Sequence, residues 1–129
     1  MANLPPITVT TVDRARLYAL LEQQPDDSDE TEHLYVELER ARIVTPEQLP
    51  EGTVCLGSHL RFRDTDSGKE HQRVLVLPQD TGHYPDAISI LSPAGAALLG
   101  LSVGDSIHWP YRQRTLHLQL LEVSSAEPG

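Results

Sequence analysis

An α+β fold is predicted, with a pair of helices leading into a sheet that holds one short helix. Three observations carry it: leucines at helical spacing either side of an acidic break near residue 26, a change to period-two alternation after residue 58, and a Ser-Pro step opening a small-residue segment at 92–99. The length of 129 residues suits one compact unit or a small domain with an appendage.

Thr10 followed by Asp13 has the spacing of a capping box with Asp in the usual Glu place, and Leu17, Leu20 and Leu21 then recur at helical intervals. The first helix is therefore expected from Val12 to Gln24, ended by Pro25. Asp26, Asp27, Ser28 and Asp29 favour a turn and the next helix start, after which Thr31, Leu34, Leu38 and Ala41 form a seam for one neighbouring helix. The short connection makes that neighbour the first helix, so residues 12–43 read as an antiparallel hairpin. Its tip collects Asp26, Asp27, Asp29, Glu30 and Glu32. Thr45-Pro46-Glu47-Gln48 predicts one further helical turn, and Pro50 and Gly52 mark the start of a second region. The division expected is 1–46 and 47–129.

Beyond it, Leu60 and Phe62 alternate with His59, Arg61 and Arg63, and Val74 and Val76 share one face of Gln72–Leu77; the turn at Asp64–Gly68 joins the two runs as a hairpin. Residues 79–86 read as a loop. Ile88–Leu91 is a short strand, and Ser92 caps a helix with Pro93 at its first position and Gly100 at its end. Ala94, Gly95, Ala96 and Ala97 let this helix lie close in the concave side of a sheet. Ser106–Trp109 and Thr115–Val123 complete the strands, the last with Leu116, Leu118 and Leu120 alternating.

Charge narrows the functional classes. The formal net charge is −9, with a net of −7 over residues 1–52 and −2 over 53–129. An acidic chain repels a phosphate backbone, which argues against direct nucleic-acid binding. No apolar run approaches the ~20 residues of a membrane span, and Met1–Pro6 lacks signal-peptide character, so a cytoplasmic protein is expected. Cys55, the single cysteine, makes neither an internal disulfide nor a Cys-rich zinc site, and is expected as a small buried hydrophobe on a strand. The histidines His33, His59, His71, His83, His108 and His117 show no HExxH-type spacing, and neither a phosphate-binding Gly-Lys-Ser/Thr loop nor a GxSxG elbow is present. No enzyme, metal or cofactor is expected on these grounds. Trp109 is expected to pack at a strand end.

The ordered set Val54-Cys55-Leu56-Gly57-Ser58, Arg61–Arg63, Ile88-Ser89-Ile90-Leu91-Ser92-Pro93-Ala94-Gly95-Ala96-Ala97-Leu98-Leu99-Gly100 and Val103-Gly104-Asp105 resembles the C-terminal domain of the GreA/GreB transcript-cleavage factors. The short helical segment, Thr45-Pro46-Glu47 and Gly104-Asp105-Ser106-Ile107-His108-Trp109 resemble still more the Rnk branch, the regulators of nucleoside diphosphate kinase, and extend the likeness to nearly the whole chain. The resemblance implies an FKBP-like fold, a twisted antiparallel sheet around one short helix, without isomerase chemistry, and docking on RNA polymerase, at the β′ rim of its secondary channel. The docking residues implied are Leu91, Ser92 and Pro93; Gre factors commonly carry an acid where Leu91 stands. Their hairpin tips bring acids to a Mg²⁺ ion for transcript cleavage. Here Asp29 to Arg42 is fourteen residues, about 21 Å at 1.5 Å per residue, against much longer Gre hairpins, so a regulator without cleavage is expected. On this view the tip is a solvated turn with favourable charge at a helix start, or a steering charge. The alternative implied by the branch name is an interaction protein acting on nucleoside diphosphate kinase without polymerase contact.

Overall fold

The computed structural model describes residues 5–23, 29–111 and 113–124. Buried Ile7 precedes, and buried Val9 lies within, a short strand β1 (Thr8–Thr10) that runs directly into α1 (Thr11–Glu22). Thr10 Oγ1 accepts from the Asp13 amide at 3.1 Å, an N-cap contributing roughly 1 kcal/mol. The expected reciprocal capping box is not formed. Asp13 turns away from the helix end, and its carboxylate accepts from the Leu56 amide at 2.9 Å.

The second helix, α2 (Asp29–Arg40), buries Thr31, Leu34 and Leu38 as the seam predicts. Its packing is broader than a single helix partner. Besides meeting α1, where Tyr18 and Tyr35 stand 6.1 Å apart, it packs on α3 (Pro93–Leu98) and sets His33 edge-on to Trp109. Glu37 is fully buried on α2, a position no spacing rule flags. It is held by Arg40 at 2.6 and 3.0 Å, and the same guanidinium donates to the Pro5 carbonyl at 2.7 Å, which fixes the start of the described chain to α2.

After α2 the chain forms β2 (Arg42–Val44), parallel to β1 with Val9 opposite Ile43. This two-stranded ladder is absent from the sequence reading because three residues per strand are too few to display a period. The turn at Pro46–Gln48 follows as expected, with the Gln48 side chain accepting from the Thr45 amide at 3.2 Å.

A five-stranded sheet occupies the remainder in the order β5-β4-β3-β7-β6: β3 (His59–Asp64), β4 (Glu70–Val76), β5 (Ala87–Ser89), β6 (Ser106–Tyr111) and β7 (Arg114–Ser124). It is antiparallel except that β5 runs parallel to β4, a correction to the fully antiparallel expectation. Leu60 and Phe62 are buried and their neighbours more exposed, as alternation predicts. A register shift between Arg61 and Phe62 sets Phe62 opposite Leu120. On β4, Val74, Leu75 and Val76 are all buried because both faces of the strand are covered there, so alternation disappears. Residues 79–86, read as plain loop, begin with a 3-10 turn at Pro78–His83. The strand expected at Ile88–Leu91 shifts to Ala87–Ser89, since the Leu91 amide leaves the ladder to donate to Ser89 Oγ at 3.0 Å.

One apolar cluster joins the halves: Leu17 and Leu20 from α1 and Leu34 from α2 lie in the same core as Leu98, Trp109 and Leu120. At the seam, the Thr8 amide donates to the Gly100 carbonyl at 3.2 Å. Gly100 has φ +79°, and a Cβ there would lie 2.7 Å from the Cβ of Ile7. Gly100→Ala combines left-handed backbone with a steric clash, so denaturant unfolding is expected to register a loss above about 1 kcal/mol.

Burial pushes the Asp13 carboxyl above its ordinary 3.8, with the Leu56 hydrogen bond and the Arg16 charge opposing; burial likewise raises Glu37 above 4.5, opposed by Arg40. The folded state therefore holds these protons more tightly than the unfolded chain. Their contribution to stability is full below the ordinary values and is lost as pH rises through the folded pKa values. Asp13→Asn keeps an acceptor for Leu56 and removes the titration, so the stability of the native chain minus that of Asp13→Asn is expected to rise as pH falls from neutral toward 3.8. Asp13→Ala, which leaves the amide unpaired, is expected to lose about 1–3 kcal/mol at neutral pH. Urea titrations across that pH range measure both; a pH-independent difference would contradict the first.

Candidate functional site

The segment 89–95 links β5 to α3 by a tight set of hydrogen bonds. Ser92 Oγ donates to the Ser89 carbonyl at 2.7 Å and accepts from the Gly95 amide at 3.1 Å, while the Ser92 amide also reaches Ser89 O at 3.0 Å. Pro93 occupies the first turn of α3, where a missing amide costs nothing. The approach is close enough that a Cβ on Gly95 would stand 2.1 Å from Ser89 O. Leu91, Ser92 and Pro93 are all partly exposed, and the Leu91 side chain also packs against the apolar core. The three residues expected to share a docking surface are thus adjacent, but Ser92 is committed to the helix cap and Leu91 leans inward.

Beside this turn, between α3 and the sheet, lies a cavity of about 230 Å³ lined by Phe62, His71, Arg73, Ile88, Ala94 and Leu116, among others. The Phe62 and His71 rings are 5.3 Å apart. Arg73 Nη1 donates to the neighbouring Gln72 carbonyl at 2.7 Å, and no carboxylate among the described residues pairs with its guanidinium. The recess is mostly apolar, with Asp64 and Arg73 bringing opposite charges to its lining, and is suited to receiving a side chain from a partner. Sequence reasoning did not single it out, because its lining comes from four separated segments; the one legible sign was the small-residue run at 94–97.

The acidic tip is only partly in view. Asp26 and Asp27 lie outside the described residues, Asp29 and Glu30 open α2 in its first turn, and Glu32 is exposed. Cys55 departs from expectation. It sits at the start of a turn and not on a strand, is half-buried, and its Sγ lies 3.3 Å from Ser58 Oγ; burial raises its thiol pKa, which disfavours the nucleophilic thiolate. Trp109 is buried, in keeping with a packing role. Among the described residues no helix is long and apolar enough to cross a membrane, and no three His, Cys, Asp or Glu side chains cluster as metal ligands.

Two family models match the chain in order. Residues 5–44 match the family described as Rnk N-terminus, and residues 49–125 match "Transcription elongation factor, GreA/GreB, C-term". The "Regulator of nucleoside diphosphate kinase" of Escherichia coli (strain K12) is 38% identical over 122 residues, covering 92% of this chain and 89% of the relative. "Transcription elongation factor GreA" of Thermodesulfovibrio yellowstonii is 28% identical, over 87% of this chain and 71% of the relative. A solved structure, "Prokaryotic transcription elongation factor GreA/GreB from Nitrosomonas europaea", superposes with a TM-score of 0.73 at 39% identity, covering 93% of this chain and 98% of that one. With both segments matched in order and this identity over nearly all of its length, the chain belongs to the Rnk branch of the GreA/GreB family.

Proposed function

We propose that the protein is an RNA polymerase-binding transcription regulator that shares a docking mode with Gre factors and does not stimulate transcript cleavage. The observation that carries this reading is the family match of residues 49–125, which spans the Ser92-Pro93 turn and the recess beside it. On this reading residues 1–46 are a short antiparallel hairpin and 47–129 an FKBP-like domain, which meets the β′ rim of the polymerase secondary channel through Pro93, the exposed edge of Ser92 and the recess. Leu91 supports that surface from inside. A partner's apolar side chain fits the recess, and an acidic neighbour would meet Arg73.

Helix length favours regulation over cleavage. With α1 and α2 each 12 residues long, the arm reaches about 18 Å at 1.5 Å per residue. The net charge of −9 disfavours the phosphate backbone and suits a basic protein surface. The relatives are named as regulators or elongation factors, in keeping with a protein that acts by binding. The name of the Escherichia coli relative favours one other reading, control of nucleoside diphosphate kinase without polymerase contact.

A pull-down from lysate separates the two: polymerase subunits are expected, and kinase recovered without polymerase would reverse the assignment. An excess of the protein is expected to inhibit Gre-stimulated cleavage while adding none, and unchanged Gre activity at saturation would refute a shared site. Replacing Asp26, Asp27, Asp29, Glu30 and Glu32 by Asn or Gln tests steering alone. Association with polymerase is expected to slow and lose salt sensitivity with little change in dissociation, while native and variant proteins stay equally silent with Mg²⁺ in a cleavage assay. Cleavage by the native protein that the variant loses would restore a Gre-like mechanism.

A further inference from the structure

The β6–β7 ladder sets His108 directly opposite His117, and their rings stand 4.6 Å apart at an interplanar angle of 54°. Directly opposed residues project from the same face of a sheet, so both imidazoles are presented together. His117 is anchored at two levels. Its carbonyl accepts from the Thr65 amide at 2.9 Å and from Thr65 Oγ1 at 3.2 Å, and its ring Nδ1 lies 2.9 Å from Asp66 Oδ1.

Asp66 and Thr65 belong to the β3–β4 turn, which is closed by the Gly68 amide on the Asp64 carbonyl at 2.7 Å and by the Asp66 amide on Asp64 Oδ1 at 2.9 Å. The carboxylate is therefore set in place by backbone three strands of chain away from the ring it orients. An ionised carboxylate only accepts, so Nδ1 of His117 donates to it, and in the neutral imidazole the lone pair then lies on Nε2. This is the arrangement of metal-ligating histidines, whose second ring nitrogen donates to a carboxylate that fixes the tautomer and raises ligand basicity. Packing of two rings requires no such partner.

We propose that His108 and His117 form a two-imidazole site for one divalent ion of the zinc class, with Asp66 as the positioning residue behind His117. Imidazole nitrogen suits zinc, copper and nickel, and zinc is the ion to which the proposal commits. Nitrogens bound to one zinc at about 2.0–2.1 Å sit within about 4 Å of each other, a spacing the two rings reach by rotation of the exposed His108. Two protein ligands leave two tetrahedral positions to water. No third side chain among the described residues joins them, so binding is weaker than in a closed structural site. The acidity of the chain raises the local cation concentration.

Calorimetric titration of the full chain with zinc chloride, together with imidazole ¹⁵N spectra, tests this. The expected result is one bound ion that shifts the Nε2 resonances of His108 and His117 and leaves the other four histidines in place. His108→Asn and His117→Asn each abolish the binding, and Asp66→Asn weakens it about 10- to 100-fold. Absence of both heat and shifts in the native chain overturns the proposal. So does saturable binding that survives both histidine substitutions, which would put the ion elsewhere, and native affinity in Asp66→Asn refutes the positioning role.

Discussion

Neither the helices nor the sheet of this protein can bury its apolar surface without the other. Leu17, Leu21, Leu34 and Leu38 belong to the cluster that holds Ile90, Leu99 and Ile107, and each such side chain contributes about 1.5–3 kcal/mol when removed from water. Two twelve-residue helices would be marginal alone. Because the interface between them and the sheet is core, the polar groups that cross it must be satisfied inside it. Asp13 meets the Leu56 amide, Arg40 joins Glu37 to Pro5, and Gly100 gives up a side chain so that β1 can hydrogen-bond alongside it.

The same economy shapes the turn before α3. Ser92 holds the helix end with both hydroxyl functions, so little of its hydrogen-bonding capacity remains for a partner. Under the proposed docking mode, recognition at this place rests on shape and on Arg73 at the recess, in keeping with Leu91 standing where an acid is common in Gre factors. A surface that works through an apolar recess tolerates loss of one polar contact better than one built on that contact.

What the sequence discloses depends on how far apart the interacting residues lie. The Thr10 and Ser92 caps, the Pro46 turn and the alternation of Leu60 and Phe62 are local, and the structure places them where spacing rules put them. The α+β class and the Ser92-Pro93 segment were legible for that reason. Contacts that span the chain were not. Asp13 reads as a cap residue until Leu56 is folded against it, forty-three positions away. Glu37 shows no sign of burial in its own window, since its partner Arg40 is tied in turn to the Pro5 carbonyl, thirty-five positions away. The recess lined by Phe62, His71, Ile88 and Leu116 leaves only the small-residue run at 94–97 as a local sign, and β1 and β2 are too short to show a period.

Those two short strands carry a geometric consequence. They lead into α1 and out of α2, and they are hydrogen-bonded side by side in parallel register from Thr8 with Arg42 to Thr10 with Val44. The spacing of the arm's two roots is thereby set by a β-ladder, about 4.8 Å, whatever the arm's own length. Whole turns can be added at the far ends of both helices without displacing Gly100, Leu56 or any strand of the sheet. Reach and attachment are separate variables in this architecture, so one base can carry arms that extend to different depths.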